Sequence, residues 1–181
     1  VGAGLARIGF TPFVHSFAVF LSRRSFDQIA MQVAYPKTNV KLVGFMPGID
    51  SLLGVSHQAI DDIALMRALP NMTIIEPAGP ADYEDAVKAA LAHHGPVYLR
   101  LYRANSHASN LSSFPPLDIG KIRKLSSGED AVIFATGLMV EIALQASKKL
   151  KKDSINATVV DCASIKPLDV EGILKVVSDC K

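Results

Sequence analysis

The sequence is poor in cysteine and has no long apolar run, and each absence excludes a class of protein. Among its 181 residues are two cysteines, Cys162 and Cys180, whose wide separation gives neither a disulfide framework nor a zinc-ligand pattern. No apolar stretch reaches the roughly 20 residues that a membrane-spanning helix requires. We therefore expect a soluble, cytoplasmic protein that does not bind a membrane.

The excess of one sign of charge is also small. The formal net charge is +2 and the basic residues are scattered, so the dense cationic face that nucleic acid requires is not expected. The histidines His15, His93, His94 and His107 have no ligand spacing with cysteine or aspartate, and the sequence predicts no metal site of its own. The first residue is Val1 without a signal-peptide pattern after it, so we expect further sequence upstream.

Short β-branched runs alternate with amphipathic stretches along the first hundred or so residues. The predicted strands are FVHSF, VKLVGF, MTIIEP and VYLRL. The predicted helices between them are SRRSFDQIAMQVA, HQAIDDIALMRAL and ADYEDAVKAALAHH. Because the strands are almost continuously apolar, this order predicts an α/β fold with a doubly wound, mostly parallel sheet that is covered on both faces.

The pattern is interrupted once. Residues 104–120 are rich in serine, asparagine and proline and are predicted to be a linker between a first domain, 1–103, and a second, 121–181. The second domain has two predicted strands, AVIFAT and ATVVDC, with helices near 138–150 and 169–178. Two strands make a marginal core, so we expect this α/β domain to be incomplete.

An aromatic pair follows the first predicted strand. Phe17 and Phe20 are three residues apart and Arg23 lies three further on, where a strand gives way to a helix. Ligands of open α/β sheets bind at the carboxyl ends of strands, which favours a ring-stacking platform beside a cation. Periodicity alone favours the alternative, in which both phenylalanines are core residues and Arg23 and Arg24 are solvated.

Two further candidates also follow strands. His57 ends a loop that contains glycine and proline and could serve in acid–base chemistry or orient a hydroxylated substrate; the alternative is a surface histidine beside a helix-capping Ser56. Arg103 follows VYLRL and could bind a phosphate or carboxylate through its fork of donors. A solvent-exposed or acid-paired arginine is the alternative there.

Four segments taken together resemble the transketolase family, in particular its short or two-subunit members. They are GLA at 4–6, PFVHSFAVFLSRRSFDQI at 12–29, SHQAIDDIALMRALPNMTIIEPA at 56–78 and GPVYLRLYR at 95–103. Their order and spacing are similar to those of the pyrimidine-binding domain of that family. The residues from about 121 onwards resemble the opening of its C-terminal domain.

The resemblance implies a function and a role for each candidate. It implies transfer of a two-carbon ketol unit between sugar phosphates, with thiamine diphosphate and Mg²⁺ as cofactors. Phe20 would pack on the aminopyrimidine ring, with Phe17 and Arg23 in the same wall. His57 would point at the oxygen atoms of the substrate, and Arg103 would hold its phosphate.

The resemblance also implies that the site is shared. In the family the glutamate that bonds to the pyrimidine lies shortly before the GLA segment, upstream of Val1, and another domain holds the diphosphate and its Mg²⁺. We therefore expect a diphosphate-binding domain or an N-terminal transketolase subunit as partner, in a homo- or hetero-oligomer. Ordinary loop and helix-start roles are expected for the acidic residues Asp50, Asp61, Asp62 and Glu76.

Two positions depart from the family pattern. Leu53 stands where the family has an aspartate that reads a sugar hydroxyl, and Phe45 stands where it commonly has a histidine near the substrate phosphate. Because an unpaired polar group costs about 1–3 kcal/mol, both changes predict either a donor or acceptor that is smaller or less hydroxylated at that end, or a weakened enzyme. The alternatives are a related enzyme, such as 1-deoxyxylulose-5-phosphate synthase or a 2-oxo-acid dehydrogenase beta subunit, and a non-catalytic subunit of the same fold.

Overall fold

The secondary structure comes from a computed structural model that describes residues 1–49, 51–103 and 114–180. The α-helices in these ranges are α1 Gly2–Arg7, α2 Phe26–Ile29, α3 Asp62–Ala68, α4 Tyr83–Ala92, α5 Met139–Leu150 and α6 Val170–Ser178. The strands are β1 Phe13–Phe17, β2 Lys41–Phe45, β3 Thr73–Ile75, β4 Val97–Leu101, β5 Arg123–Lys124, β6 Ala131–Ala135, β7 Ala157–Asp161 and β8 Ser164–Lys166.

The larger sheet has the strand order β1-β2-β4-β3-β8. Its first four strands are parallel, and β8 pairs with β3 in the antiparallel direction, which confirms the mostly parallel sheet. Phe17 pairs with Phe45, and Phe45 pairs with Leu101. The carboxyl ends of β1, β2 and β4 therefore lie side by side at one edge of the sheet.

Apolar side chains cover both faces of this sheet. In β4, Tyr98 belongs to one core with residues of α2 and α3, while the next residue, Leu99, belongs to a second core with residues of α4. The same alternation separates Ile74 from Ile75 in β3. The side chains of Leu99, Ile74 and Ile75 are fully buried, and each contributes about 1.5–3 kcal/mol to the stability of the fold. The doubly wound arrangement is confirmed.

The helix predicted after β1 is interrupted. Two π-helical turns, Phe20–Arg24 and Ala30–Ala34, flank the short α2. At the first turn the buried hydroxyl of Ser22 donates to the carbonyl of Ala18 at 2.7 Å, a local bond that competes with regular helix geometry. Single π-turns inside helices occur often at functional sites, and this one carries Phe20.

A smaller sheet forms in the second half of the chain, with the order β5-β7-β6. The prediction of two strands after the linker is wrong, because β5 and β8 are also present. These strands have two and three residues, which is too short for a pattern of apolar alternation. β8 lies at the edge of the larger sheet, so the two halves share one sheet.

Residues 104–113 of the predicted linker lie outside the described residues. Of its remainder, Leu117 is buried in the core beside α4, and the ring of Phe114 lies 5.2 Å from the guanidinium carbon of Arg123. The domain limits at 103 and 121 stay predictions.

The structure also describes the two cysteines and the lengths of the apolar helices. Neither Cys162 nor Cys180 forms a disulfide bond among the described residues. Within the described ranges, no helix combines the length and the apolar character that a membrane span requires.

A buried arginine connects the two halves. The guanidinium of Arg123 in β5 donates to Asp82, just before α4, at 2.7 Å, and to Asp161 at the end of β7. Both carboxylates are fully buried. Oδ1 of Asp161 has no hydrogen-bond partner among the described residues. Burial raises the pKa of Asp161 to about 6, although Arg123 opposes the shift.

This raised pKa predicts a pH-dependent stability. The folded pKa lies above the ordinary value of 3.8, so the folded chain binds the proton more tightly than the unfolded chain does. The contribution is fully present below pH about 4 and falls by up to about 3 kcal/mol as the pH rises through 6. Asp161→Asn removes this titration.

Urea unfolding of both proteins between pH 4 and 7 measures the effect. The stability of the wild type relative to Asp161→Asn should decrease with pH over this range. A difference that is independent of pH, or that grows with pH, would show that Asp161 is ionised throughout.

Candidate functional site

Four aromatic rings meet at the carboxyl edge of the larger sheet. Phe17 ends β1, Phe45 ends β2, Phe20 begins the first π-turn, and His57 ends a 3₁₀ turn, Val55–His57. The ring centroid of His57 lies 5.3 Å from that of Phe17 and 5.0 Å from that of Phe20. Phe17 lies 5.8 Å from Phe20 and 5.9 Å from Phe45. The structure thus brings together three of the five site residues predicted from the sequence.

The rings meet mainly edge to face. The interplanar angles within the Phe17, Phe20 and His57 triangle are 69–84°, the arrangement that aromatic quadrupoles favour. Phe17 and Phe20 are half-buried against the fully buried Ala18 and Ala59. Neither phenylalanine is wholly in the core, so both rings keep surface for a ligand.

Two arginines follow Phe20, and only one of them contacts its ring. The guanidinium carbon of Arg24 lies 4.5 Å from the ring centroid of Phe20, a cation–π contact. Arg23 instead donates through Nε to both carboxylate oxygens of Asp61, at 2.9 Å each. The predicted place of Arg23 in the cofactor wall stays a prediction, while Arg24 is a neighbour of the ring that spacing alone did not reveal.

The imidazole of His57 is oriented by its own turn. Its Nδ1 is hydrogen-bonded to the hydroxyl of Ser56 at 2.9 Å, and the ring is half-buried. The alternative that Ser56 caps the next helix is wrong, because α3 begins at Asp62, six residues later. The hydroxyl holds the imidazole by the nitrogen nearer the backbone.

We call residues 46–60 the His57 loop; Asp50 within it lies outside the described residues. Its base is closed by the backbone amide of Gly48, which donates to the carbonyl of Ala59 at 2.8 Å. Gly48 has a φ of 68°, a conformation that glycine adopts without strain. The apolar side chains of Leu52 and Leu53 are 96% and 55% exposed in this loop.

A buried ion network lies next to this loop. Arg100 of β4 donates through Nε to Asp62 at 2.8 Å and through Nη1 to Glu76. The hydroxyl of Tyr98 donates to Asp62, and that of Tyr102 donates to Glu76, each at 2.7 Å. Both carboxylates are about 1% exposed. Asp62 begins α3, as the predicted helix-start role requires, but the buried ion network of Asp62 and Glu76 was not predicted.

The charges in this network stabilise one another. Burial opposes the charge of Arg100, but Glu76 and Asp62 outweigh it and hold the pKa of the guanidinium above its ordinary value. Burial, followed by the charge of Glu76, raises the pKa of the Tyr102 phenol. The hydroxyl of Thr136, just after β6, donates to Glu76 at 3.1 Å and extends the network into the second half of the chain.

Arg103 lies two residues beyond the end of β4 and is exposed. Leu101, the last residue of β4, pairs with Phe45, so Arg103 follows the same edge of the sheet as the aromatic rings. Its role in binding a phosphate stays a prediction.

An aromatic and imidazole wall at the carboxyl edge of a doubly wound sheet defines an α/β ligand-binding site. Residues 1–108 match the family described as "Transketolase, pyrimidine binding domain". Residues 120–181 match the family described as "Transketolase, C-terminal domain". The chain belongs to the transketolase family, as the sequence resemblance predicted.

Similar proteins include a protein named as a transketolase subunit. The chain is 43% identical over 176 residues to the 6-deoxy-6-sulfo-D-fructose transketolase subunit SqwH of Clostridium sp. (strain MSTE9), covering 97% of this chain and 54% of that protein. It is 36% identical over 177 residues to the 1-deoxy-D-xylulose-5-phosphate synthase of Rippkaea orientalis, covering 96% and 28%. The chain spans about half the length of the first curated relatives that it matches.

A solved structure agrees with this assignment. The structure titled "Split gene transketolase, inactive beta4 tetramer" superimposes with a TM-score of 0.89 at 40% sequence identity, covering 99% of this chain and 58% of that one. The mixed, mostly parallel α/β fold is thus the fold of a split transketolase.

The buried pair of Arg100 with Asp62 and the exposed pair of Arg23 with Asp61 predict unequal losses of stability. Arg100→Met leaves two buried carboxylates without their counter-charge and should lower the free energy of unfolding by about 3–5 kcal/mol. Arg23→Met breaks a pair in which both side chains are more than 40% exposed and should cost less than about 1 kcal/mol. Urea unfolding at pH 7 compares the two variants, and equal losses would contradict the burial difference.

Proposed function

We propose that this chain supplies the pyrimidine-side half of a thiamine-diphosphate site, in an enzyme that transfers a two-carbon ketol unit between sugar or sugar-phosphate substrates. The observation that supports it most directly is the contact of Phe17, Phe20 and His57 at the carboxyl edge of the sheet. The membership of the transketolase family supports the same reaction class.

The wall suits a flat heteroaromatic ring. The half-buried ring of Phe20 offers stacking surface, and Phe17 and the backbone around Ala18 exclude water beside it. The guanidinium of Arg24 occupies one side of Phe20, so the cofactor ring would use the remaining surface of the wall. When bound, thiamine diphosphate supplies the electron sink for the transferred unit.

His57 is the group that we assign to proton exchange with the substrate. Its Nδ1 is hydrogen-bonded to the hydroxyl of Ser56, so Nε2, on the other side of the ring, is the nitrogen that we assign to the substrate. An imidazole can donate or accept a proton near neutral pH, so it can serve a substrate hydroxyl or carbonyl oxygen. Arg103, at the same edge of the sheet, is assigned to the substrate phosphate.

The site requires a second protein part. Among the described side chains, no group of three or more His, Cys, Asp or Glu residues is arranged to hold a metal ion. We propose that a diphosphate-binding subunit or domain contributes Mg²⁺ and the diphosphate pocket, in an oligomer. The likeness to a transketolase subunit and to a split-gene transketolase supports this arrangement.

The substrate is proposed to be less hydroxylated than an ordinary pentulose phosphate at one end. Phe45 packs against Phe17, and Leu53 is exposed in the loop that carries His57. An apolar side chain leaves a substrate hydroxyl unpaired at a cost of about 1–3 kcal/mol. The relative SqwH is named for a sulfonated deoxy sugar, which shows that substrates vary among similar subunits.

A second candidate is a synthase that releases carbon dioxide from a 2-oxo acid. The 36% identity to a 1-deoxy-D-xylulose-5-phosphate synthase over 96% of the chain supports this second candidate. Product analysis separates the two, since only the synthase yields carbon dioxide from pyruvate.

Phe20→Ala tests the proposed role of the stacking ring. The full-length chain, mixed with its diphosphate-binding partner, thiamine diphosphate and Mg²⁺, should cleave some donor from a panel of phosphorylated and unphosphorylated ketoses. The variant should raise the cofactor Kd by about 10-fold or more, since an aromatic contact of this kind contributes about 0.5–1.5 kcal/mol beyond its buried area.

Met31→Ala is the matched control, because Met31 is an exposed apolar side chain with no described contact to the aromatic rings. Cofactor binding without turnover of any donor would favour a non-catalytic subunit. An unchanged cofactor Kd in Phe20→Ala would remove this ring from the site.

Leu53→Asp tests the proposed substrate preference. The change restores a hydroxyl-reading carboxylate and should raise kcat/KM for xylulose 5-phosphate by about 10-fold, because one regained hydrogen bond contributes on the order of 1.4 kcal/mol. Leu52→Asp, at the neighbouring position, is the control and should leave kcat/KM for xylulose 5-phosphate unchanged. Efficient use of xylulose 5-phosphate by the wild-type assembly would contradict the preference.

A further inference from the structure

The buried ion network lies close to the base of the His57 loop. A methyl group added to the Cα of Gly48 would lie 3.7 Å from Nη2 of Arg100, in ordinary van der Waals contact, so the space between this backbone and the guanidinium is about the size of one methyl group. Gly48 is also the residue whose amide closes the loop on Ala59. Arg100 therefore lies next to the point where the loop leaves and rejoins the sheet.

The same guanidinium holds the segment that follows His57. Asp62, the first residue of α3, accepts hydrogen bonds from Arg100 and from Tyr98 and is almost fully buried. Its neighbour Asp61 is held by Arg23 from the first π-turn. The backbone is thus fixed five residues after His57 as well as at Gly48.

Arg100 itself has few ways to move. Glu76 accepts from Nη1, and the hydroxyl of Tyr102 lies 2.7 Å from the same nitrogen. Glu76 in turn accepts from Tyr102 and Thr136. A guanidinium fixed by this many planar contacts is a rigid support for the loop.

Stability alone does not account for such a network. Burying an ion pair costs desolvation energy, and well-packed apolar residues in its place are often as stable or more so. Charged groups at this position therefore call for a geometric reason. The placement beside both ends of the His57 loop provides one.

We propose that Arg100, acting through Asp62 and Gly48, is a positioning residue that fixes the place of His57 at the substrate. This inference rests on the proposed function, in which His57 contacts the substrate. Arg100 touches none of the four rings through a described contact, so its effect reaches the substrate only through the loop.

Arg123 offers a matched control. It is also a buried arginine between two buried carboxylates, Asp82 and Asp161, but it lies in β5 and has no described contact with the His57 loop. Removing either guanidinium destabilises the fold, and only removal of Arg100 should loosen the loop. The variants are Arg100→Met, Asp62→Asn and Arg123→Met; the isosteric Asp62→Asn carries the test if Arg100→Met fails to fold.

The first measurement is hydrogen exchange of the backbone amides of Gly48 and His57 in the full chain with its partner, without substrate. Arg100→Met and Asp62→Asn should speed this exchange on the order of 10-fold relative to the amides of β4, and Arg123→Met should leave the ratio unchanged. Equal exchange in all three variants would overturn the proposal. This readout does not depend on catalysis.

The second measurement is a double-mutant cycle on kcat/KM for the donor. Asp62→Asn should lower kcat/KM by about 10–100-fold, because it misplaces the side chain of His57. In the double mutant it should add little to the loss that His57→Ala causes alone. Arg123→Met and His57→Ala should instead be additive. Additivity of Asp62→Asn with His57→Ala would overturn the positioning role, whereas absence of wild-type turnover would overturn the proposed function and leave the exchange result to decide.

Discussion

The charge of Arg100 has to be neutralised inside the protein, and this constraint joins most of the parts that surround the candidate site. Its two counter-charges come from different elements: Asp62 begins α3 and Glu76 follows β3. Thr136 adds the carboxyl end of β6 to the same network. Because the energy of a buried charge depends steeply on its partners, these elements have little freedom to shift independently.

The second buried arginine has a comparable role at a different place. Arg123 brings together Asp82, before α4, and Asp161, at the end of β7, so that it connects the two sheets of the molecule. Two carboxylates share one guanidinium there, and one of them retains an oxygen without a partner among the described residues. Burial of this carboxylate raises the pKa of Asp161 to about 6, although its pairing with Arg123 opposes the shift.

Much of the fold follows from local patterns, and the parts that do not follow depend on contacts between distant residues. The strands β1 to β4 coincide with apolar runs because parallel strands buried on both faces exclude polar residues. The two short strands β5 and β8 carry no such run. The buried Lys41 was equally hidden in an apolar segment, and its ammonium is satisfied by Asn39 and by the carbonyls of His93 and Gly95.

The site shows the same division. The grouping of Phe17, Phe20 and His57 was predictable from strand ends and family likeness, since the carboxyl ends of parallel strands share an edge. The contact of Arg24 with the ring of Phe20 was not predictable, because a π-turn rotates its side chains relative to those of a regular helix. The partners of Glu76 depend on the register between β3 and β4, and those of Asp62 depend on how α3 packs on β4; sequence spacing contains neither.

The central claim is that this chain completes the pyrimidine side of a cofactor site, and calorimetry can test it directly. Thiamine diphosphate and inorganic diphosphate, each with Mg²⁺, would be titrated into the diphosphate-binding partner alone and into its complex with the full-length chain. We predict that the chain strengthens binding of thiamine diphosphate by about 10-fold or more, equal to at least 1.4 kcal/mol, and leaves inorganic diphosphate unaffected. Equal affinities of thiamine diphosphate with and without the chain would contradict the account.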